Sequence, residues 1–192
     1  MLAEIKKNKP APVELPSLSF TAEEQNKTER FLELLHSIGG RGVVVNSWND
    51  VQGFLEQKSL ENVEAVNGIS ILSSYNIQSY SGKEGSELEK VYTVLLEGEL
   101  GVAENSAVWV KESKMVNRLL PLICQELVLV IKEETIVANM HEAYSKIKVN
   151  EDGYGVFIAG PSKTADIEQS LVIGAHGPLS LQVFILKSGI AS

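Results

Sequence analysis

Glu126-Leu-Val-Leu-Val-Ile131 is a continuous apolar run behind a single carboxylate, and its reading decides the fold. A strand with one wet face alternates apolar and polar residues. A run without alternation is buried on both faces, as the strands of a parallel sheet are. Working outward, Gly42-Val-Val-Val-Asn46, Tyr92-Thr-Val-Leu-Leu96, Ala107-Val-Trp-Val110 and Val156-Phe-Ile-Ala159 read as further strands. Ile69-Ser-Ile-Leu72 reads as a short one, and Leu179 to Leu186 closes the sheet.

Helices fall between these runs. Thr21-Ala-Glu-Glu24 is a capping box, in which a hydroxyl and a carboxylate satisfy orphan amides. It opens a helix through about Ser37 that Gly39-Gly40 stops. His36 in its last turn suits the helix dipole. Ser47 caps a second helix over about 48–57, with Trp48, Val51 and Leu55 as its apolar stripe. A third runs from about Glu134 to Ile147, with His141 on it, and Asn150 to Tyr154 turns back into a strand. Ser81 to Ser86 reads as a mobile loop. Strands alternating with helices predict a single α/β domain with a mostly parallel sheet flanked by helices. Residues 1–20, with prolines at 10, 12 and 16, form an arm before a domain over 21–192, and the arm lies on the surface or on a neighbouring subunit.

The chain has 192 residues, of which 44% are hydrophobic, enough to bury one full core. Its net charge is −8 and its basic residues form no stripe, which argues against nucleic acid. The first ten residues lack the apolar centre of a signal peptide, and no run reaches membrane-span length; the expectation is a cytoplasmic protein. Cys124 is the single cysteine, so these residues alone form no disulfide and hold no iron–sulfur cluster. In Leu119-Leu-Pro-Leu-Ile-Cys124 it reads as a small buried hydrophobe rather than a nucleophile.

The polar groups that look arranged for chemistry follow the strand at 155–159. Gly160-Pro161 ends it, and Ser162, Lys163, Thr164, Asp166 and Glu168 follow; His176 then stands between Gly174 and Gly177-Pro178. Ligands of parallel α/β sheets sit beyond the carboxyl ends of strands, and this loop starts where such an end is expected. Lys163 would supply charge, Ser162, Thr164 and loop amides hydrogen bonds, to a carboxylate or phosphate. His176 is a candidate acid or base near neutral pH. A plain turn accounts for the same residues: Ser162 and Thr164 cap amides, and Asp166 and Glu168 hold the loops together.

Other chemistries fit worse. A phosphate-binding P-loop needs Gly directly before Lys163 and again six residues before it, where Ser162 and Phe157 stand. No Gly-x-Gly-x-x-Gly follows a strand and opens a helix; Gly39-Gly40 and Gly42 precede a strand instead. Asp166, Glu168 and His176 match no established metal spacing, so no metal and no cofactor is expected on this chain.

Gly160-Pro-Ser-Lys-Thr-Ala-Asp-Ile-Glu168, then Gly174-Ala-His-Gly-Pro178 and a closing strand, resembles the C-terminal signature of the LUD-domain family. The resemblance implies a fold similar to the sugar-phosphate isomerases and CoA-transferases. It also implies a place in a bacterial system that oxidises L-lactate to pyruvate, with iron–sulfur clusters on partner subunits; homo-oligomerisation stays open. The family carries an acidic residue followed by Thr-Gly-Thr. Here Glu104 is followed by Asn105-Ser106-Ala107, and Ala107 cannot reproduce a hydroxyl. Glu104 is the candidate nucleophile of a second reading, a free-standing CoA-transferase-like or sugar-phosphate-type enzyme on a small acyl or phosphorylated substrate.

Overall fold

The computed structural model describes residues 26–61, 63–72, 80–148, 153–165, 171–173 and 177–189, with a few of the first 25. For 164, 165 and 171–173 it describes the backbone alone. Glu126–Lys132 (β6) is a strand whose five central residues are all buried, as its unbroken apolar run requires. It lies at the centre of a five-stranded, wholly parallel sheet with Arg41–Val45 (β1), Ala65–Asn67 (β2), Thr93–Glu97 (β3) and Ser180–Leu186 (β11). The order is β1-β11-β6-β3-β2, so the last strand does not close an edge: it lies between β1 and β6.

The two faces of this sheet are covered differently. Trp48–Leu60 (α2) packs Val51 and Leu55 on Val128, Val130, Phe184 and Leu186. Its Ser47–Asp50 capping box is formed, with both the Asn46 and Ser47 amides donating to Asp50. Lys27–Ser37 (α1) covers the other face with Phe31 and Leu35. This helix starts at Lys27, its N-cap is Asn26, and Thr28 N donates to Asn26 Oδ1 at 3.1 Å. Asn26 rather than Thr21 therefore caps it; Thr21–Glu24 lies outside the described residues. His36 Nε2 accepts from Gly42 N at 3.3 Å.

Beside α1 lies a second, mainly antiparallel sheet of Leu100–Val102 (β4), Ala107–Lys111 (β5), Ile136–Val137 (β7) and Gly155–Ile158 (β8), ordered β7-β4-β5-β8. Val108 and Val110 face the parallel sheet, whereas Leu100, Val102 and Trp109 face Met140–Lys146 (α5). The layers run α2, parallel sheet, α1 with the small sheet, α5.

Several expected elements differ. The helix expected over 134–147 divides into a 3-10 turn at Glu133–Thr135, the strand β7 and α5, because Asn139 accepts from Glu142 N and starts a helix there. β-branched Ile136 and Val137 suit a strand better than a helix. The strand expected at 69–72 is instead a turn organised by buried Asn67. Its side chain accepts from Ile69 N at 2.8 Å and donates to the Ile69 and Leu72 carbonyls; the strand is 65–67. The loop read as mobile at 81–86 gives way to Gly85–Leu88 (α3), and Asn117 donates to the Tyr80 and Lys83 carbonyls. No described helix is long and apolar enough to cross a membrane.

Candidate functional site

β8 is antiparallel to β5, so it belongs to the small sheet and not to the parallel one. Its side chains are half-buried rather than buried. The loop that follows therefore does not start at the carboxyl end of a parallel strand, which corrects that expectation. It turns at Gly160 (φ +73°) and lies against Ile38, on the approach to β1; a Cβ at Gly160 would stand 3.1 Å from the Ile38 side chain. Ser162 N donates to Pro178 O at 2.9 Å, two residues before β11 begins. The loop thus sits at the amino ends of β1 and β11.

Two of the expected groups, Ser162 and Lys163, have described side chains here. A Cβ on Gly177 would lie 3.0 Å from Ser162 Cβ and 3.3 Å from its Oγ, so a side chain at Gly177 would crowd the hydroxyl. Lys163 is exposed, and its Nζ lies 3.7 Å from where a Cβ on Gly39 would stand. Gly39 has φ +90° and ends α1, whose terminal carbonyls carry partial negative charge beside this ammonium. Among the described residues, Lys163 forms no ion pair and Ser162 Oγ no hydrogen bond. Pro161 and Pro178 are buried and anchor both sides. Lys163–Ala165 (β9) then pairs antiparallel with Leu171–Ile173 (β10). Thr164 contributes backbone to β9; Asp166, Glu168 and His176 lie outside the described residues. The sequence marked Gly39 only as a helix stop, and its positive φ beside Lys163 was the signal for more.

Glu104 stands elsewhere. The turn from β4 to β5 spends each of its polar side chains internally. Met140 N, at the start of α5, donates to Glu104 Oε2 at 2.9 Å. Ala107 N donates to Asn105 Oδ1 at 3.0 Å, and Ser106 Oγ donates to Phe31 O in α1 at 2.7 Å. Ser106 is fully buried with φ +56°, a left-handed conformation that glycine adopts more easily. Its hydroxyl bond holds the turn to α1. Cys124 is 1% exposed, and burial pushes its thiol up to about 12, which rules it out as a thiolate nucleophile near neutrality.

The model of the LUD domain family matches residues 82–186, more than half of the chain. The chain is 29% identical over 112 residues to lactate utilization protein C of Oceanobacillus iheyensis, covering 55% of this chain and 48% of that protein. It is 34% identical over 96 residues to the protein of the same name from Bacillus subtilis, covering 47% and 40%. The chain thus spans about half the length of the curated relatives it matches. A crystal structure of a DUF162 family protein from Deinococcus radiodurans has a TM-score of 0.60 at 18% identity, over 83% of this chain and 96% of that one. That likeness bears on the fold, and it fits the mixed α/β domain described above.

Proposed function

This chain belongs to the LUD domain family, and we propose that it is a cytoplasmic, non-iron–sulfur component of a bacterial L-lactate utilization system. The observation that carries this reading is its similarity to proteins named lactate utilization protein C. Oxidising L-lactate to pyruvate releases an electron pair, and iron–sulfur partner subunits take it. Cys124 is the one thiol in these 192 residues and it is buried, whereas a cluster held by this chain alone would need several thiolates, so the reading puts the clusters on partner subunits.

The chain's own part is a small-anion or carboxylate site at the Gly160–Pro178 loop. Lys163 Nζ supplies the charge and Ser162 Oγ a hydrogen bond, both without competing partners among the described residues. Thr164, Asp166 and Glu168 are its further candidate ligand-binding residues by sequence, and His176 is its candidate acid or base. The second reading, an enzyme using Glu104 as nucleophile, loses support from the geometry. That carboxylate caps the first turn of α5, and attack would require it to leave the Met140 amide.

The test is deletion of this chain in its native host, with affinity capture at native expression, iron analysis and L-lactate-dependent dye reduction. Iron-containing partners and lost dye reduction are expected. A chain that comes down alone and iron-free, and is dispensable for L-lactate oxidation, would overturn the reading.

A further inference from the structure

Three glycines stand against the 160–163 loop. Gly39 and Gly160 have positive φ, which accounts for glycine at both by backbone alone. Gly177 does not, so its missing side chain has to be explained by space. A Cβ on Gly177 would lie 3.0 Å from Ser162 Cβ, 3.3 Å from Ser162 Oγ and 3.8 Å from Leu122 O. Two polar atoms from distant parts of the chain thus lie within 3.8 Å of one point, and the residue at that point has only a hydrogen there.

Neither atom is engaged among the described residues. Ser162 Oγ makes no hydrogen bond, since Ser162 is tied to Pro178 through its amide. Leu122 O belongs to Leu120–Ile123 (α4), a single turn that ends at Cys124. In a longer helix the Gln125 or Glu126 amide would bond back to that carbonyl. Here both amides donate to Tyr92 O instead, at 3.0 and 2.9 Å, because the chain leaves α4 for β6. No other described group donates to Leu122 O. A hydroxyl can donate, whereas a carbonyl only accepts. A ligand that bridges the two therefore presents an acceptor to Ser162 and a donor to Leu122, on atoms close together.

We propose, on the reading of this loop as a carboxylate site, that Gly177 opens a subsite for a small 2-hydroxy carboxylate. Its carboxylate accepts from Ser162 Oγ, and its own hydroxyl, one carbon away, donates to Leu122 O. The 2-oxo acid of the same skeleton brings a second acceptor to Leu122 O, where two sets of lone pairs face each other. The unsubstituted acid brings no polar group there at all. A site built around a ligand hydroxyl disfavours both analogues, because its own carbonyl is left unpaired when they bind. A Cβ on Gly177 would stand between the two protein groups and fill the space the ligand needs. Gly177 is thus a specificity-determining residue, and it takes no part in bond making.

The test is a calorimetric titration of the 192-residue chain with L-lactate, pyruvate and propionate, which share a carboxylate and carbon skeleton and differ at the second carbon. Wild type is expected to bind L-lactate about tenfold or more tighter than either of the others. Gly177→Ala is expected to lose that preference with its circular dichroism unchanged. Equal affinity for the three acids would overturn the subsite and leave the loop as a plain carboxylate site. Binding of none would overturn the carboxylate reading of the loop as well. A preference for L-lactate that survives Gly177→Ala would put the discriminating groups elsewhere in the chain, and that too would overturn the subsite. Where the variant does not fold, the wild-type Gly177 amide resonance decides: it shifts with added L-lactate, and an unmoved resonance contradicts the subsite.

Discussion

The turn at 103–106 and the loop at 160–163 looked alike as sequence: both put short polar side chains and Lys or Glu between strands. Their structures differ in what those groups do. In the turn, Glu104, Asn105 and Ser106 each have a backbone partner, in α5, in β5 and in α1. In the loop, the backbone is anchored by Ser162 N to Pro178 O, while Lys163 and the Ser162 hydroxyl have no side-chain partner among the described residues. A polar cluster whose side chains are all spent holds elements together. One whose backbone is fixed and whose side chains are free is available to a ligand.

The largest expected effect sharpens this contrast at the floor of the loop region, where a Cβ on Gly177 would reach Leu122 O at 3.8 Å and Cys124 lies two residues on. A thiol pushed from 9.0 to about 12 in the folded state stays protonated where the unfolded chain has ionised. Its stabilising contribution is therefore whole below pH 9 and is lost as pH rises from there toward 12, at about 1.4 kcal/mol per pH unit. Urea unfolding of wild type against Cys124→Ala between pH 8 and about 10.5 measures it. The variant's stability falls less steeply; parallel curves would mean a wet, accessible thiol.

Ser106 comes next. Ser106→Ala keeps the left-handed strain and loses the second hydrogen bond to Phe31 O, a carbonyl that keeps its donor within α1, for a loss of about 0.5–1.5 kcal/mol. Ser106→Gly removes the strain as well as the bond and is expected to lie closer to wild type. If both variants were equally unstable, the strain argument would fail. Glu104→Ala removes one contact at the start of α5, and about 0.5–2 kcal/mol is expected in thermal or urea unfolding. The smallest effect belongs to the loop: Lys163→Ala and Ser162→Ala shift stability by no more than about 0.5 kcal/mol. A large loss there would make the loop a structural tie like the turn.

The parallel sheet was legible because β6 carries a run whose only stable setting is burial on both faces, whereas the similar run of β1 lies at the edge with Arg41 and Val43 exposed. β11 was legible as a strand but not as an interior one, since strand order depends on crossings that leave no local pattern. The 134–147 segment misled because its apolar spacing suits a helix, while the cap at Asn139 and β-branched Ile136-Val137 set the boundary. The candidate loop was found from its residues but assigned to the wrong end of the sheet. Val156 to Ala159 reads as buried whether its neighbour is parallel or antiparallel, and only the pairing with β5 decides that. Gly39, which stands beside Lys163, lies far from the loop in sequence and could be joined to it only by the fold.

The most direct test of the contrast is a calorimetric titration of wild type, Lys163→Ala and Glu104→Gln with L-lactate, pyruvate and inorganic phosphate. The account predicts that wild type binds at least one of these anions, that Lys163→Ala weakens it about tenfold or more, and that Glu104→Gln binds as wild type does. Binding lost in Glu104→Gln but kept in Lys163→Ala, or no binding of any of the three by wild type, would contradict it.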